Sequence, residues 1–114
     1  MMKAESTYQW NNIVYYVSDV YRATKGFKAG DAERLGNKIR RSVISLSVAM
    51  NDLSSDAGKG DFARLYPLLS SISVLETYLQ LAKKHGFLKD TEVLDSKLSE
   101  IKVSLQKVIR SGNI

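Results

Sequence analysis

The clearest hydrophobic pattern in the chain lies in residues 35–53. Its apolar side chains recur at alternating steps of four and three residues, at Ile39, Val43, Leu46, Met50 and Leu53. Such steps place side chains on one stripe of an α-helix. The segment therefore predicts an amphipathic helix, the second of the chain, which runs to about Asp52 and buries this stripe against partner helices.

Three further segments carry inward stripes with similar spacing. The first segment has Ile13, Val17, Val20 and Thr24, the third has Leu65, Leu68, Ile72, Leu75, Leu79 and Ala82, and the fourth has Leu94, Leu98, Ile101, Leu105 and Val108. Four helices joined by short links bury such stripes together when neighbours run in opposite directions. The sequence predicts an all-α fold, an antiparallel up-down four-helix bundle, with residues 1–114 forming one domain.

Capping and breaking residues set the expected helix boundaries. Ser6 and Gln9 have the spacing of a capping box, which predicts a helix start near Thr7, and Gly26 is expected to stop that helix. Asp31 is expected to cap the second helix. Residues 54–61 predict the longest linker, with Asp61 as a candidate cap of the third helix. Gly86 followed by Phe87 is typical of a left-handed helix stop, after which Asp90 or Thr91 can cap the fourth helix.

Aromatic and aliphatic side chains also occur outside the four core stripes. On the first helix these are Tyr8, Trp10, Tyr16 and Tyr21, which we interpret as core or interface packing rather than base stacking. On the other helices they are Ile44, Val48, Tyr66, Tyr78, Val103 and Ile109. Several helices that each carry a second apolar patch are typical of proteins that self-associate. We therefore expect a homo-oligomer.

Charge changes this picture more than the rest of the composition does. The chain has a formal net charge of +5 and a sequence pI of about 9.5, which favours a polyanionic partner. No apolar run reaches the roughly 20 residues of a membrane span, and no secretion signal is evident, so we expect a cytoplasmic protein without membrane contact. The absence of cysteine excludes disulfides and thiol nucleophiles.

The basic residues form two groups, one around the first loop and second helix and one along the fourth helix. Arg34, Lys38 and Arg41 follow helical spacing on a face beside the core stripe. The predicted nucleic-acid-binding residues are Lys25, Lys28, Arg34, Lys38, Arg40, Arg41, Lys102, Lys107 and Arg110. They would bind phosphates of RNA or DNA without much sequence readout. The alternative is that these cations contact an acidic protein surface, or only keep the protein soluble.

No set of residues suggests catalysis. The only histidine, His85, precedes Gly86 at a predicted helix end, where a structural or surface role is the simpler interpretation. Glu76 falls on the inward side of the third helix, either as a carboxylate perturbed by burial or, as we prefer, as a partner for an arginine or tyrosine hydroxyl. We predict a non-enzyme with no metal and no cofactor.

Three stretches resemble a known bacterial family. They are Val20-Tyr-Arg-Ala-Thr-Lys-Gly-Phe27, Lys38-Ile-Arg-Arg-Ser-Val-Ile-Ser-Leu46, and Leu69-Ser-Ser-Ile-Ser-Val-Leu-Glu-Thr77 with Ala82-Lys-Lys-His-Gly-Phe-Leu88. Their order is similar to that in the four-helix-bundle proteins encoded within intervening sequences of large-subunit ribosomal RNA. The chain departs from that family after Leu46, where Pro-x-Asn-Ile-Ala-Glu-Gly is usual.

That family includes the accessory variability determinant (Avd) proteins of diversity-generating retroelements, which form basic pentameric barrels and bind a reverse transcriptase together with nucleic acid. The resemblance implies a homopentamer that binds RNA or DNA and assists a reverse transcriptase. The alternative within the same resemblance is a protein-interaction scaffold of the intervening-sequence group with no direct nucleic-acid role.

Overall fold

The protein is described by a computed structural model that covers residues 2–55 and 65–111, with side chains for residues 12–51 and 65–107. It contains the helices α1 (Met2–Ala23), α2 (Gly30–Ser55), α3 (Leu65–Lys84) and α4 (Glu92–Ser111). Each helix packs against two neighbours, so that α1 contacts α2 and α4, and α3 contacts the same two. The resulting rod measures 44 × 21 × 20 Å and confirms the predicted all-α antiparallel four-helix bundle. None of the described helices is both long and apolar enough to cross a membrane.

The predicted stripes form the core of the bundle. Every predicted core residue of α3 is buried, and so are the described stripe residues of α2 and α4. On α1, Ile13, Val20 and Thr24 are buried, while Val17 is partly buried against the core. The side chains of Leu53 and Val108 lie outside the described residues. Periodicity alone was therefore enough to find most of the interior of this fold.

Two tyrosines lie deeper than the stripes predicted. Tyr16, which we placed beside the α1 stripe, is only 1% exposed and belongs to the core. Tyr78, which we placed outside the α3 stripe, is partly buried and packs against the core. Rings on the borders of a stripe can turn inward because their length lets them reach between neighbouring helices. Ile44, Val48, Tyr66 and Val103 are exposed as predicted, whereas Tyr8, Trp10 and Ile109 lie outside the described side chains.

Three predicted boundaries at the ends of α1 and α2 are wrong. α1 begins at Met2 rather than near Thr7, so Ser6 and Gln9, whose side chains lie outside the described set, are within the helix. α1 ends at Ala23, before Gly26. Asp31 lies in the first turn of α2 rather than at its cap, because the backbone N–H of Glu33 donates to the carbonyl of Ala29 at 3.4 Å. A carboxylate in the first turn still interacts favourably with the helix dipole.

The predicted linker begins later than expected. Ser54 and Ser55 belong to α2, which therefore passes beyond Asp52. The rest of the linker, including the candidate cap Asp61, lies outside the described residues. Pro67 occupies an exposed position near the start of described α3, and the helix continues through it to Lys84.

The loop between α3 and α4 follows the prediction closely. Gly86 has φ of 77°, its N–H donates to the carbonyl of Lys83 at 3.0 Å, and the N–H of Phe87 donates to the carbonyl of Ala82 at 2.8 Å. This pair of bonds defines a Schellman motif, which needs the left-handed conformation that glycine adopts easily. α4 is then capped by Thr91, whose carbonyl accepts from the N–H of Asp95, while the Asp90 carboxylate accepts from the N–H of Glu92.

The α1–α2 loop and the α3–α4 loop meet at one end of the bundle. The rings of Phe27 and Phe87 lie edge to face with centroids 6.0 Å apart. Phe27 can lie close to α2 because Gly36 has no side chain; a Cβ there would lie 3.0 Å from the Phe27 ring. Such contact across the two loops holds their basic residues at the same end of the molecule.

Candidate nucleic-acid interface

The predicted cations of α2 form an exposed row along that helix. Arg34, Lys38 and Arg41 are all exposed, and we call these three residues the α2 ridge. The Arg34 guanidinium donates to the Asp31 carboxylate at 2.6 Å. This hydrogen bond, together with the charge of Arg34 and of His85, lowers the pKa of Asp31, and the same contact raises the pKa of Arg34. Within the described residues, no acidic side chain pairs with Lys38 or Arg41.

Arg40 has a different environment from the ridge, although it is adjacent to Arg41 in sequence. Its Nε donates to the Thr24 hydroxyl at 2.8 Å, and its Nη2 donates to the Thr24 carbonyl at 2.8 Å. Its guanidinium also lies over the ring of Tyr21, 5.4 Å from the centroid. Arg40 therefore links α2 to the carboxyl end of α1, and we call this set of contacts the Arg40 clamp. Charge-assisted hydrogen bonds of this kind are stronger than those between neutral groups.

The Arg40 clamp has a stability consequence that separates it from Arg41. We expect Arg40→Ala to lower the free energy of unfolding by about 2 kcal/mol, since it removes two charge-assisted hydrogen bonds to Thr24, although the Thr24 carbonyl still accepts from the N–H of Phe27. Arg41→Ala should change stability by less than about 0.5 kcal/mol, because that side chain is exposed. Urea unfolding of the two variants measures both values. Equal losses in the two proteins would contradict the assignment of Arg40 to the clamp.

A groove lies on the outside of the bundle between α1 and α2. It has a volume of about 650 Å³ and is lined by Tyr21, Asn37, Arg40, Arg41, Ile44 and Ser45. We call it the α1–α2 groove. Its lining combines an aromatic ring, an aliphatic side chain, an amide and two guanidinium groups, and Arg41 belongs both to the groove and to the α2 ridge. The cationic row and the concave surface are therefore continuous.

The structure also adds basic residues that the sequence analysis did not single out. Lys83, Lys84 and Lys89 flank the α3–α4 loop, and the contact of Phe87 with Phe27 puts that loop beside Lys25 and Lys28. These lysines could have been included on the basis of the predicted topology, since the first and third loops of an up-down bundle lie at the same end. Cations from both loops thus extend the α2 ridge onto the end of the bundle.

Lys102 and Lys107, the predicted α4 cations whose side chains are described, do not join this surface. Lys102 on α4 lies 3.5 Å from the Glu76 carboxylate of α3, which partly neutralises it. Lys107 is exposed further along α4, away from the two loops, and the side chain of Arg110 lies outside the described residues. Lys97 also pairs across the bundle, with Asp19 at 2.6 Å. Arg34 of the ridge is also paired, but Lys38 and Arg41 have no acidic partner among the described residues, so the geometry favours the α2 ridge and the loop end over α4.

Glu76 does not have the partner that we preferred from the sequence, an arginine or a tyrosine hydroxyl. Glu76 is partly exposed and accepts from Lys102 rather than from an arginine or a tyrosine. The Tyr16 hydroxyl is buried and has no hydrogen-bond partner among the described residues. Burial, and then the negative charges of Asp95, Asp19 and Glu76, raise the pKa of Tyr16 above its ordinary value of 10.0. No three described acidic or histidine side chains are grouped closely enough to hold a metal ion.

The unpartnered Tyr16 hydroxyl predicts a stabilising substitution. Tyr16→Phe should raise the free energy of unfolding by about 1 kcal/mol near neutral pH, because a buried polar group without a partner costs about 1–3 kcal/mol. Tyr15→Phe is the matched control, since Tyr15 is 71% exposed and its hydroxyl stays in water. Urea unfolding measures the difference. A loss of stability in Tyr16→Phe would show that the hydroxyl has a partner after all.

The same group makes the stability of the protein depend on pH in the alkaline range. Since burial raises the pKa of Tyr16 in the folded state, the unfolded chain loses this proton first. Below about pH 10 Tyr16 is protonated in both states, and the free energy of unfolding does not depend on its titration. Above about pH 10 the free energy of unfolding falls, by up to about 1.4 kcal/mol per pH unit, because only the folded state keeps the proton. The Tyr16→Phe protein should show a correspondingly shallower alkaline loss.

Comparison with known proteins gives no further identification. No family model, no curated protein and no solved structure matches this chain. The resemblance to the intervening-sequence family therefore stays a prediction, and the function must be argued from the fold and the charged surface.

Proposed function

We propose that this protein is a non-enzymatic, oligomeric nucleic-acid-binding accessory protein, which resembles the reverse-transcriptase partner of a diversity-generating retroelement. The observation that carries this proposal is the group of exposed cations on the α2 ridge and at the loop end of the bundle, which outnumber the exposed acidic residues Asp31, Glu33 and Asp90 among them. Exposed cations on rigid helices bind phosphates through charge and release the counterions of the nucleic acid. The retroelement role in this proposal rests on the family resemblance, and the binding of nucleic-acid phosphates rests on the exposed cations.

Self-association is the second part of this proposal. Val14 and Val48 are exposed outside the α1–α2 groove, and they lie on the neighbouring helices α1 and α2. Apolar side chains on adjacent helices favour a protein partner when they lie near one another. In an oligomer that covers some of these apolar side chains, the positive electrostatic potentials of the α2 ridges from several subunits would add together. A pentamer is the number implied by the family resemblance.

A protein-interaction scaffold is the second candidate, and the same exposed apolar residues favour it. In that function the apolar surface of α1 and α2 binds another protein, and the positive charge only assists an encounter with an acidic surface. The two candidates differ in one respect that can be measured directly. The scaffold has no affinity for free nucleic acid at low salt.

Sedimentation velocity of the full chain, alone and with labelled RNA, DNA or an RNA–DNA hybrid, tests the proposal. We expect the protein alone to sediment faster than a 12.8 kDa monomer and to carry at least one of the nucleic acids with it at low salt. A higher salt concentration should release the nucleic acid without dissociating the oligomer. Salt screens the contact between cations and phosphates, whereas the contact between subunits is apolar. A species that does not bind any nucleic acid at low salt would favour the scaffold.

A further inference from the structure

The α1–α2 groove has the chemistry of a surface that holds an unpaired base. Tyr21 is 43% exposed although Arg40 covers one face of its ring, so part of the ring is open to the groove. Ile44 adds an aliphatic side chain and Asn37 adds an amide with both donor and acceptor atoms. Single-stranded nucleic acids bind proteins by stacking bases on aromatic rings while cations contact the backbone.

The groove is also held in shape before any ligand arrives. Arg40 is fixed by its two hydrogen bonds to Thr24 and by its contact with Tyr21, and the Thr24 hydroxyl in turn donates to the Val20 carbonyl at 2.9 Å. The wall therefore joins α1 to α2 through side chains whose conformations are already restricted. A base that binds here would not have to order the ring, which reduces the entropic cost of binding.

Charge decides what kind of ligand the groove fits. Arg41 lines the groove and continues into the α2 ridge, and none of the described lining residues is acidic. A ligand with an anionic backbone and an exposed aromatic group matches this arrangement, whereas a duplex keeps its bases stacked inside. We propose that the groove binds one base of a single-stranded nucleic acid against Tyr21, with Arg41 on an adjacent phosphate. This inference rests on the proposed function and names its substrate class.

Substitution of Tyr21 tests the inference with a control on the same helix. Tyr21→Ala should weaken binding of a single-stranded oligonucleotide by about 10-fold, since the loss of one stacked base has roughly that effect. Binding of a duplex should stay the same. Tyr21→Phe keeps the ring and should retain the affinity for the single strand. Tyr15→Ala should have no effect, because Tyr15 is an exposed tyrosine that does not line the groove.

Fluorescence anisotropy with single-stranded and duplex oligonucleotides of the same sequence measures these affinities. Because Tyr21 also contacts Arg40, Tyr21→Leu serves as a second variant that keeps apolar bulk, and it should show the same selective loss as Tyr21→Ala. An unchanged affinity of both variants for the single strand, or an equal loss for duplex, would overturn the inference while leaving the proposed function intact. If the unaltered protein binds neither form at low salt, the proposed function itself fails.

Discussion

Replacing Leu79 by Ala is expected to lower the free energy of unfolding by about 2–5 kcal/mol, the usual cost of a large-to-small change in a packed core. Leu79 is fully buried in the second half of the α3 stripe, where it packs in the shared core of the bundle. Its removal loses the transfer free energy of the side chain and leaves a cavity that rigid helices fill only partly.

Leu81 provides a matched control for this experiment. It lies on the same helix, is 38% exposed, and loses the same atoms in Leu81→Ala. We expect that variant to change stability by less than about 0.5 kcal/mol. Urea unfolding followed by far-ultraviolet circular dichroism, at one fixed protein concentration, gives both values. Comparable losses would mean that the inward and outward faces of α3 have been assigned incorrectly.

Simultaneous replacement of Arg34, Lys38 and Arg41 by Ala should weaken nucleic-acid binding by about 10- to 100-fold at low salt, since each exposed cation contributes roughly 0.5–1 kcal/mol. Removal of Arg34 also leaves the Asp31 carboxylate without its partner, so that its negative charge opposes the bound phosphates. The salt dependence of binding should become shallower as well. All three side chains are exposed, so helicity and stability should be preserved.

A variant with the same net charge distinguishes the α2 ridge from general basicity. Lys97, Lys102 and Lys107 are three cations of α4, two of which are already paired with Asp19 and Glu76. Their combined replacement by Ala should change affinity much less than the ridge variant does. Equal effects of the two triple variants would show that binding depends on net charge and not on the ridge.

The interior of this fold could be predicted from the sequence because helical periodicity is a local property. Steps of three and four residues placed Leu46, Ile72 and Leu98 in the core without any knowledge of their partners. The helix stop at Gly86 was equally local, since glycine readily adopts the left-handed conformation that the Schellman motif requires. The contact of Arg40 with the end of α1 was not predictable in this way, because it joins Arg40 to Thr24, sixteen residues earlier in the chain.

The candidate site was predicted only in part for the same reason. Helical spacing was enough to group Arg34, Lys38 and Arg41, but it could not separate Arg40 from them, since its role depends on the position of Thr24. The α1–α2 groove was missed because Tyr21 and Ile44 come from different helices and look, in sequence, like ordinary packing residues. The basic residues of the α3–α4 loop were missed because the meeting of the two loops is a tertiary contact.

The salt dependence of binding to single-stranded RNA tests the central claim most directly. If the three ridge cations neutralise three phosphates, the logarithm of the association constant should fall with the logarithm of salt concentration with a slope of about −2 or steeper. Further cations at the loop end would make the slope steeper still. An association constant that stays level across the salt range, or the absence of binding at low salt, would contradict the account.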